Sequence, residues 1–128
     1  MNNKIITFSF DDGTIYDEPL VSLLNKYGLK ATFNINTGQI PKIHQNDHTD
    51  YLSFDKMHEI YKGHELAAHG YKHLWYTKGA TYDEIKFDIE KDLSEFKRIF
   101  PEYEIKGIAY PYGAYNDDVI EIVKNAGL

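Results

Sequence analysis

The sequence has 128 residues, 42% of them hydrophobic and 27% charged, which is the size and composition of one globular domain. Fourteen basic and 20 acidic residues give a net charge of −6, which speaks against nucleic acid as a partner because such interfaces need a basic patch. No window holds the roughly 18 consecutive apolar residues of a transmembrane segment. There is no cysteine, which excludes disulfides, thiolate ligands and cysteine nucleophiles.

Short apolar runs alternate with amphipathic stretches along the chain. Runs rich in β-branched and aromatic residues predict strands at residues 4–10, 30–36, 65–68 and 105–110. Helical spacing of apolar residues predicts helices at residues 17–27, 54–61, 82–100 and 117–126. Expected caps are Ser53, Asn116 and a capping box of Thr81 with Glu84. This alternation predicts an α/β fold with parallel strands and right-handed crossovers.

The carboxyl ends of parallel strands share one edge of the sheet, and α/β folds place their chemistry there. Polar or turn-forming segments follow all four predicted strands, at residues 11–13, 36–38, 69–73 and 111–115. We expect these segments to build the site, with a polar loop over residues 37–52. Because the chain stops where a fifth strand would begin, we expect an open sheet and a fragment of a larger domain.

Two adjacent carboxylates, Asp11 and Asp12, end the first strand in the motif Thr7-Phe-Ser-Phe-Asp-Asp-Gly13. The turn after Asp12 can bring both to one rim, where a cation would remove their repulsion. The plainer alternative is an Asp-Gly turn with Asp12 as a cap. The segment also resembles the Asp-x-Asp-Gly-Thr loop of haloacid-dehalogenase-type phosphatases, but Phe10 stands where that chemistry needs its nucleophilic aspartate.

His69 and His73 follow the third strand four residues apart, and one helical turn would bring both to one metal. With Asp12 they form a set of two imidazoles and one carboxylate, which leaves positions open for water and substrate and is typical of catalytic metals. This set suits zinc, with cobalt, nickel or manganese as further possibilities. The alternative is a pair of histidines in an ordinary polar loop.

The third motif is Ala109-Tyr-Pro-Tyr-Gly-Ala-Tyr115, in which Pro111 and Gly113 fix a turn after the fourth strand. A rigid turn can aim a backbone N–H at a developing oxyanion. Taken alone, however, the motif favours the alternative of an ordinary tyrosine-rich turn.

The order and spacing of these motifs resemble the polysaccharide deacetylase family, also called the NodB-homology domain or carbohydrate esterase family 4. The resemblance rests on residues 7–13, 63–73 and 110–116 and covers residues 5–127. It implies a parallel-stranded, distorted (β/α) barrel of NodB type, incomplete here at about four βα units. We therefore expect residues 1–128 to be a single such domain, truncated at its C-terminus.

The resemblance also implies roles for individual residues. Asp11 matches the catalytic base that activates the attacking water, and Tyr112 matches the residue whose backbone N–H assists the oxyanion. The metal ligands of the family match Asp12, His69 and His73.

The sequence departs from the family pattern in three ways. Ala109 stands where an arginine usually pairs with the base, and Gly70 stands where serine or threonine is common, with little effect expected. The histidine that acts as general acid, and a tryptophan and an aspartate from late motifs, have no counterpart. The remaining histidines are not convincing replacements: His44, His48, His58 and His64. We expect a structural role for His64.

The sequence thus predicts metal-dependent hydrolysis of N- or O-acetyl groups on a carbohydrate polymer or oligosaccharide. Alternatives are a related hydrolase of small amides, or a catalytically impaired module that binds metal or carbohydrate. Four aromatic residues near the presumed site are candidates for stacking on sugar rings: Tyr71, Trp75, Tyr76 and Tyr115. No signal peptide is visible, which favours a cytoplasmic chain as it stands, although many relatives are secreted or surface-attached.

Overall fold

The fold is built on a parallel sheet of three strands in the order β1, β2, β3. These strands are β1 (Ser9–Asp11), β2 (Thr32–Ile35) and β3 (Glu65–Ala68). The computed structural model describes residues 4–40 and 50–128. The predicted loop at 37–52 lies partly outside these residues, and His44 and His48 lie wholly outside them. The parallel α/β prediction is confirmed.

The strand register places the site-bearing segments side by side. Asp11 pairs with Asn34, and Ile35 pairs with Ala68, so the three strands end at the same edge. The residues that follow these ends therefore lie next to one another although they are far apart in sequence.

Two predicted strands are wrong in extent. The first spans residues 9–11 rather than 4–10, because its pairing with β2 begins only at Ser9. The fourth, predicted at 105–110, is reduced to one parallel bridge between Ile108 and Ala68. Gly107 gives no side chain to pack, and Pro111 has no N–H to extend the ladder, so little favours a longer strand there.

Within residues 4–40 and 50–128, the sheet is accompanied by α1 (Asp17–Lys26), α2 (Phe54–Ile60), α3 (Tyr82–Ile99) and α4 (Asp117–Asn125). The predicted caps are confirmed. Ser53 accepts a hydrogen bond from the Lys56 N–H, and Asn116 accepts one from the Val119 N–H. The capping box of Thr81 and Glu84 is complete. None of the helices within 4–40 and 50–128 has the length and apolarity that crossing a membrane requires.

In the part of the chain that the structure describes, two hydrophobic clusters hold these elements together. The larger one packs α1, α2 and the end of α3 against the sheet, with Phe33, Ile35, Met57 and Phe96 almost completely buried. The smaller one joins α3 to α4 and includes Tyr76, which lies in the segment between β3 and α3. That segment, which carries both candidate ligand histidines, is therefore anchored in a core at its far end.

Candidate metal centre and active site

Three side chains from two strand ends converge at the carboxyl edge of the sheet. Asp12 Oδ1 lies 3.6 Å from His69 Nε2 and 3.7 Å from His73 Nε2. The two Nε2 atoms are 3.1 Å apart. The structure thus brings together the three ligands expected from the sequence, with one donor atom from each within 4.8 Å of the others.

The His69 ring is fixed in the orientation that a metal ligand needs. Its Nδ1 lies 2.8 Å from the backbone carbonyl oxygen of Ala109. A carbonyl only accepts hydrogen bonds, so Nδ1 carries the proton and the Nε2 lone pair faces Asp12 and His73. Two imidazoles and a carboxylate arranged in this way fit a divalent transition metal.

His73 is also prepared for ligation. Burial lowers the pKa of its imidazole, and the neighbouring His69 lowers this pKa further. A lowered pKa favours the neutral ring at pH near 7, and the neutral ring is the form that binds a metal.

Asp11 lies beside the three converging residues. Its side chain is 52% exposed, and Oδ2 lies 3.9 Å from His69 Nε2. Its other oxygen, Oδ1, accepts a hydrogen bond of 2.7 Å from the Asn34 side-chain amide. One oxygen is therefore held by β2, while the other points towards the ligand cluster.

Sequence reasoning missed Asn34, and it included Asn36 only as part of the polar segment at residues 36–38, without a role of its own. The Asn36 side chain donates to Asp12 Oδ1 at 3.3 Å, so the two amides orient the two adjacent carboxylates. Both are 3% exposed. A signal for them was the alternation of two asparagines in an otherwise apolar strand, since a buried polar side chain needs a partner.

Three residues at the site have left-handed backbone conformations. Asp12, His73 and Tyr112 have φ values of 76°, 54° and 58°, and they are the only non-glycine residues with positive φ in the described chain. Such conformations are unfavourable and persist only where surrounding contacts enforce them, and they cluster at functional sites. Here all three fall on residues singled out from the sequence.

Tyr112 lies in a short 3-10 turn, Pro111–Gly113, beside the histidines. Its ring contacts the His73 ring edge to face, with centroids 4.7 Å apart. It also stacks on Trp75, with centroids 4.7 Å apart and planes at 17°. Trp75 and Tyr112 thus form one wall beside the candidate ligands.

The expectation that Tyr76 could stack on sugar rings is wrong, because its side chain is 1% exposed. Its hydroxyl donates to Asp88 at 3.0 Å in the interior. Tyr115 and Trp75 remain accessible, at 59% and 43% exposure.

A cleft of about 270 Å³ opens at the cluster. Asp12 and His73 form part of its wall together with Asn36, Gln39, Tyr51, Lys72 and Tyr112. The lining is predominantly polar, as expected for a site that receives a polar group rather than an apolar ligand.

Gly70 has a stricter role than the sequence indicated. Its φ is +78°, and a Cβ atom there would lie 2.5 Å from Tyr76 Oη and 2.6 Å from Asp88 Oδ2. A side chain at this position would therefore displace the segment between the two histidines.

The family to which this chain belongs follows from its sequence and its fold. This chain belongs to the polysaccharide deacetylase family, whose model matches residues 1–128. The family resemblance of the three motifs and the NodB-type α/β fold are therefore confirmed.

Among curated relatives, the poly-beta-1,6-N-acetyl-D-glucosamine N-deacetylase of Staphylococcus aureus (strain MSSA476) is 33% identical over 136 residues. The alignment covers 96% of this chain and 44% of that relative. The enzyme of the same description from Staphylococcus epidermidis is 29% identical, with 96% and 45% covered. The chain thus spans less than half the length of these relatives.

Solved structures agree on the fold. The Streptococcus pyogenes deacetylase PplD, in complex with acetate, superposes with a TM-score of 0.83 at 25% identity, covering 97% of this chain and 53% of that one. IcaB from Ammonifex degensii superposes with a TM-score of 0.87 at 18% identity, covering 100% of this chain and 59% of that one.

Proposed function

We propose that this protein is a metal-dependent deacetylase of an N-acetylglucosamine polysaccharide, and that residues 1–128 form a single domain carrying its metal ligands and catalytic base. The observation that carries the proposal is the convergence of Asp12, His69 and His73, with the His69 Nε2 lone pair directed into the cluster. The described activity of the staphylococcal relatives favours N-acetyl over O-acetyl groups and β-1,6-linked poly-N-acetylglucosamine as the first substrate to test.

Asp12, His69 and His73 would hold the metal, with zinc favoured by the donor set and cobalt, nickel or manganese as alternatives. A divalent ion bound there lowers the pKa of a coordinated water and polarises a carbonyl group. The protein contributes the orientation of the ligands, through the Ala109 carbonyl on His69 and the Asn36 amide on Asp12.

Asp11 acts as the general base in this proposal. It lies next to the ligand cluster, but the three convergent donor atoms belong to Asp12, His69 and His73, so its carboxylate is not needed as a ligand. The Asn34 amide holds one carboxylate oxygen, so the other is available to take a proton from the attacking water.

The backbone N–H of Tyr112 stabilises the negative charge that develops on the acetyl oxygen. The strained φ of 58° and the ring contacts with His73 and Trp75 hold this residue beside the ligands. Within residues 4–40 and 50–128, no group accepts a hydrogen bond from this N–H, so it is available for a substrate oxygen.

The decisive experiment compares Asp11→Asn with unaltered protein, using acetate release from β-1,6-linked N-acetylglucosamine oligomers and metal content by elemental analysis. We expect Asp11→Asn to retain about one equivalent of metal and to lose about 10²- to 10⁴-fold in turnover, the usual contribution of a general base. Asp55→Asn, which alters an exposed carboxylate on α2, is the matched control and keeps both properties.

Undiminished turnover by Asp11→Asn would contradict the assignment of the base. Full metal binding by the unaltered protein without release of acetate from any acetylated glycan would instead support a binding module. Turnover confined to small amides would support the related amide hydrolases.

A further inference from the structure

Helix α3 carries two fully buried carboxylates that the proposed reaction does not use. Asp88 and Asp92 are each 0% exposed. They lie four residues apart, so they project from the same face of the helix. That face packs against β3 and contacts the residues that follow β2 and β3, among them the candidate ligand His69.

Asp92 joins the ends of two strands. One of its oxygens accepts hydrogen bonds from the Thr37 backbone N–H at 2.9 Å and from the Thr37 hydroxyl at 2.6 Å. The other accepts the backbone N–H of His69 at 3.1 Å. A single side chain therefore fixes the main chain of a candidate ligand relative to the end of β2.

Asp88 holds the rest of the same segment. Its side chain accepts the Lys72 backbone N–H at 2.6 Å and the Tyr76 hydroxyl at 3.0 Å. Its own backbone carbonyl accepts the Tyr71 N–H at 3.2 Å. Helix α3 thus binds this segment at His69, between the two histidines and beyond His73.

Burying these carboxylates costs desolvation free energy, and the hydrogen bonds that they accept from the segment after β3 offset this cost. Burial raises the pKa of Asp92 to about 7, while the hydrogen bonds from Thr37 and His69 act in the opposite direction. A well-packed apolar side chain would avoid this desolvation but would leave the N–H groups of the segment without acceptors.

We propose that Asp92, assisted by Asp88, is a positioning residue that holds the backbone of residues 69–73 so that His69 and His73 converge with Asp12 before a metal binds. The inference rests on the proposed metal site and extends it. Preorganisation of this kind raises metal affinity, because less of the binding free energy is spent on ordering the ligands.

The test measures zinc affinity by competition with a chromophoric chelator, at a temperature where circular dichroism shows each variant folded. Asp92→Asn can supply only one acceptor oxygen for two backbone N–H groups, so we expect zinc affinity to fall about tenfold or more. Glu90→Gln makes the same chemical change on the exposed face of α3 and is expected to keep the affinity of the unaltered protein.

A second pair of variants distinguishes positioning from a loss of folding. Thr37→Val removes the hydroxyl that donates to Asp92, whereas Thr37→Ser retains it. We expect lower zinc affinity and an altered cobalt absorption spectrum in Thr37→Val, and recovery of both in Thr37→Ser. If Asp92→Asn does not fold, this pair decides the question.

The positioning role would be overturned if Asp92→Asn folds and binds zinc with unchanged affinity. If Asp92→Asn does not fold, unchanged zinc affinity in Thr37→Val would overturn it. If zinc binding is nevertheless lost in His73→Ala, the proposed metal site remains supported although the positioning role of Asp92 is not. Absence of zinc binding by the unaltered protein would overturn both proposals.

Discussion

His69 donates its Nδ1–H to the backbone carbonyl of Ala109, 2.8 Å away. The family pattern places an arginine side chain at this position, and its absence was the main departure visible in the sequence. The hydrogen bond to His69 uses only the backbone carbonyl of residue 109, so an alanine at this position makes it as well as an arginine would. Ala109 thus supports a candidate ligand even though its side chain offers no cation for Asp11.

The first prediction concerns His73, whose side chain is 21% exposed and therefore less important for packing than the 3% exposed His69. His73→Ala removes one of the three donor atoms, so we expect metal affinity to fall by more than about 100-fold. Loss of a residue that only supports a ligand lowers metal affinity by about 10- to 100-fold. Elemental analysis after dialysis measures the bound metal. His58→Ala, at a histidine that pairs with Glu102 away from the cluster, is the control. Equal metal content in the two variants would contradict the site.

The second prediction compares two glycines with left-handed φ. Gly79 has φ +86° and open space where a Cβ atom would lie, whereas a Cβ on Gly70 would meet Tyr76 and Asp88. Gly79→Ala should cost about 1 kcal/mol of unfolding free energy from backbone strain alone. Gly70→Ala should cost about 1–3 kcal/mol more, because overpacking is added to strain.

Urea unfolding followed by circular dichroism measures both costs in the presence of a chelator, so that metal binding does not contribute. Equal losses in the two alanine variants would show that the segment can move to accommodate a side chain at residue 70.

The features predicted correctly from sequence are those that local chemistry determines. The capping box at Thr81 and the Ser53 cap depend on residues within one helical turn, and both occur as expected. Strand lengths depend on a partner elsewhere in the chain. The fourth strand failed as a prediction because pairing with Ala68, rather than the apolar pattern of residues 105–110, decides its length.

The same distinction applies to the site. The carboxylate pair and the histidine spacing are visible as short motifs, whereas Asp92 acts on Thr37 across 55 residues of sequence. A signal was nevertheless present. Asp88 and Asp92 share one helix face with Ile85 and Ile89, and charged residues within an apolar stripe indicate buried polar contacts.

The third prediction uses Trp75, the only tryptophan of the sequence, as a probe of the site. Its ring stacks on Tyr112, which in turn contacts His73. If a metal fixes the His73 ring, Tyr112 should move with it and change the environment of the indole. We expect zinc to alter tryptophan fluorescence with the same midpoint as chelator competition.

Tyr112→Ala interrupts this path while leaving all three donor atoms in place, so zinc should still bind with little change in emission. His73→Ala should abolish the response together with binding. A full fluorescence response in Tyr112→Ala would show that the signal reaches Trp75 by another route.

The last prediction concerns stability against pH and involves His64, which lies outside the site. His64 is 6% exposed, its Nδ1 accepts the Ala31 N–H at 3.3 Å, and its Nε2 lies 3.1 Å from Asn25 Oδ1. Burial lowers the pKa of this imidazole, and Lys30 lowers the pKa further. Below the ordinary value of about 6.5, the unfolded chain binds a proton that the folded chain does not.

The free energy of unfolding should therefore fall as the pH drops below about 6.5. Below the folded-state pKa of His64 this loss is complete, and His64 adds no further pH dependence. This contribution has a slope of at most about 1.4 kcal/mol per pH unit, the value for one proton. The contribution of His64 is measured by urea unfolding of His64→Gln and of the unaltered protein across this pH range, both with chelator. The other titrating groups are common to both proteins, so the difference between them reports His64. At about pH 8 we expect His64→Gln to be less stable than the unaltered protein, because it lacks the packing of the imidazole ring against Phe33. As the pH falls, the unaltered protein loses the stability that depends on neutral His64, so the difference in unfolding free energy should narrow. A gap that is constant with pH would mean that His64 titrates alike in the folded and unfolded chains.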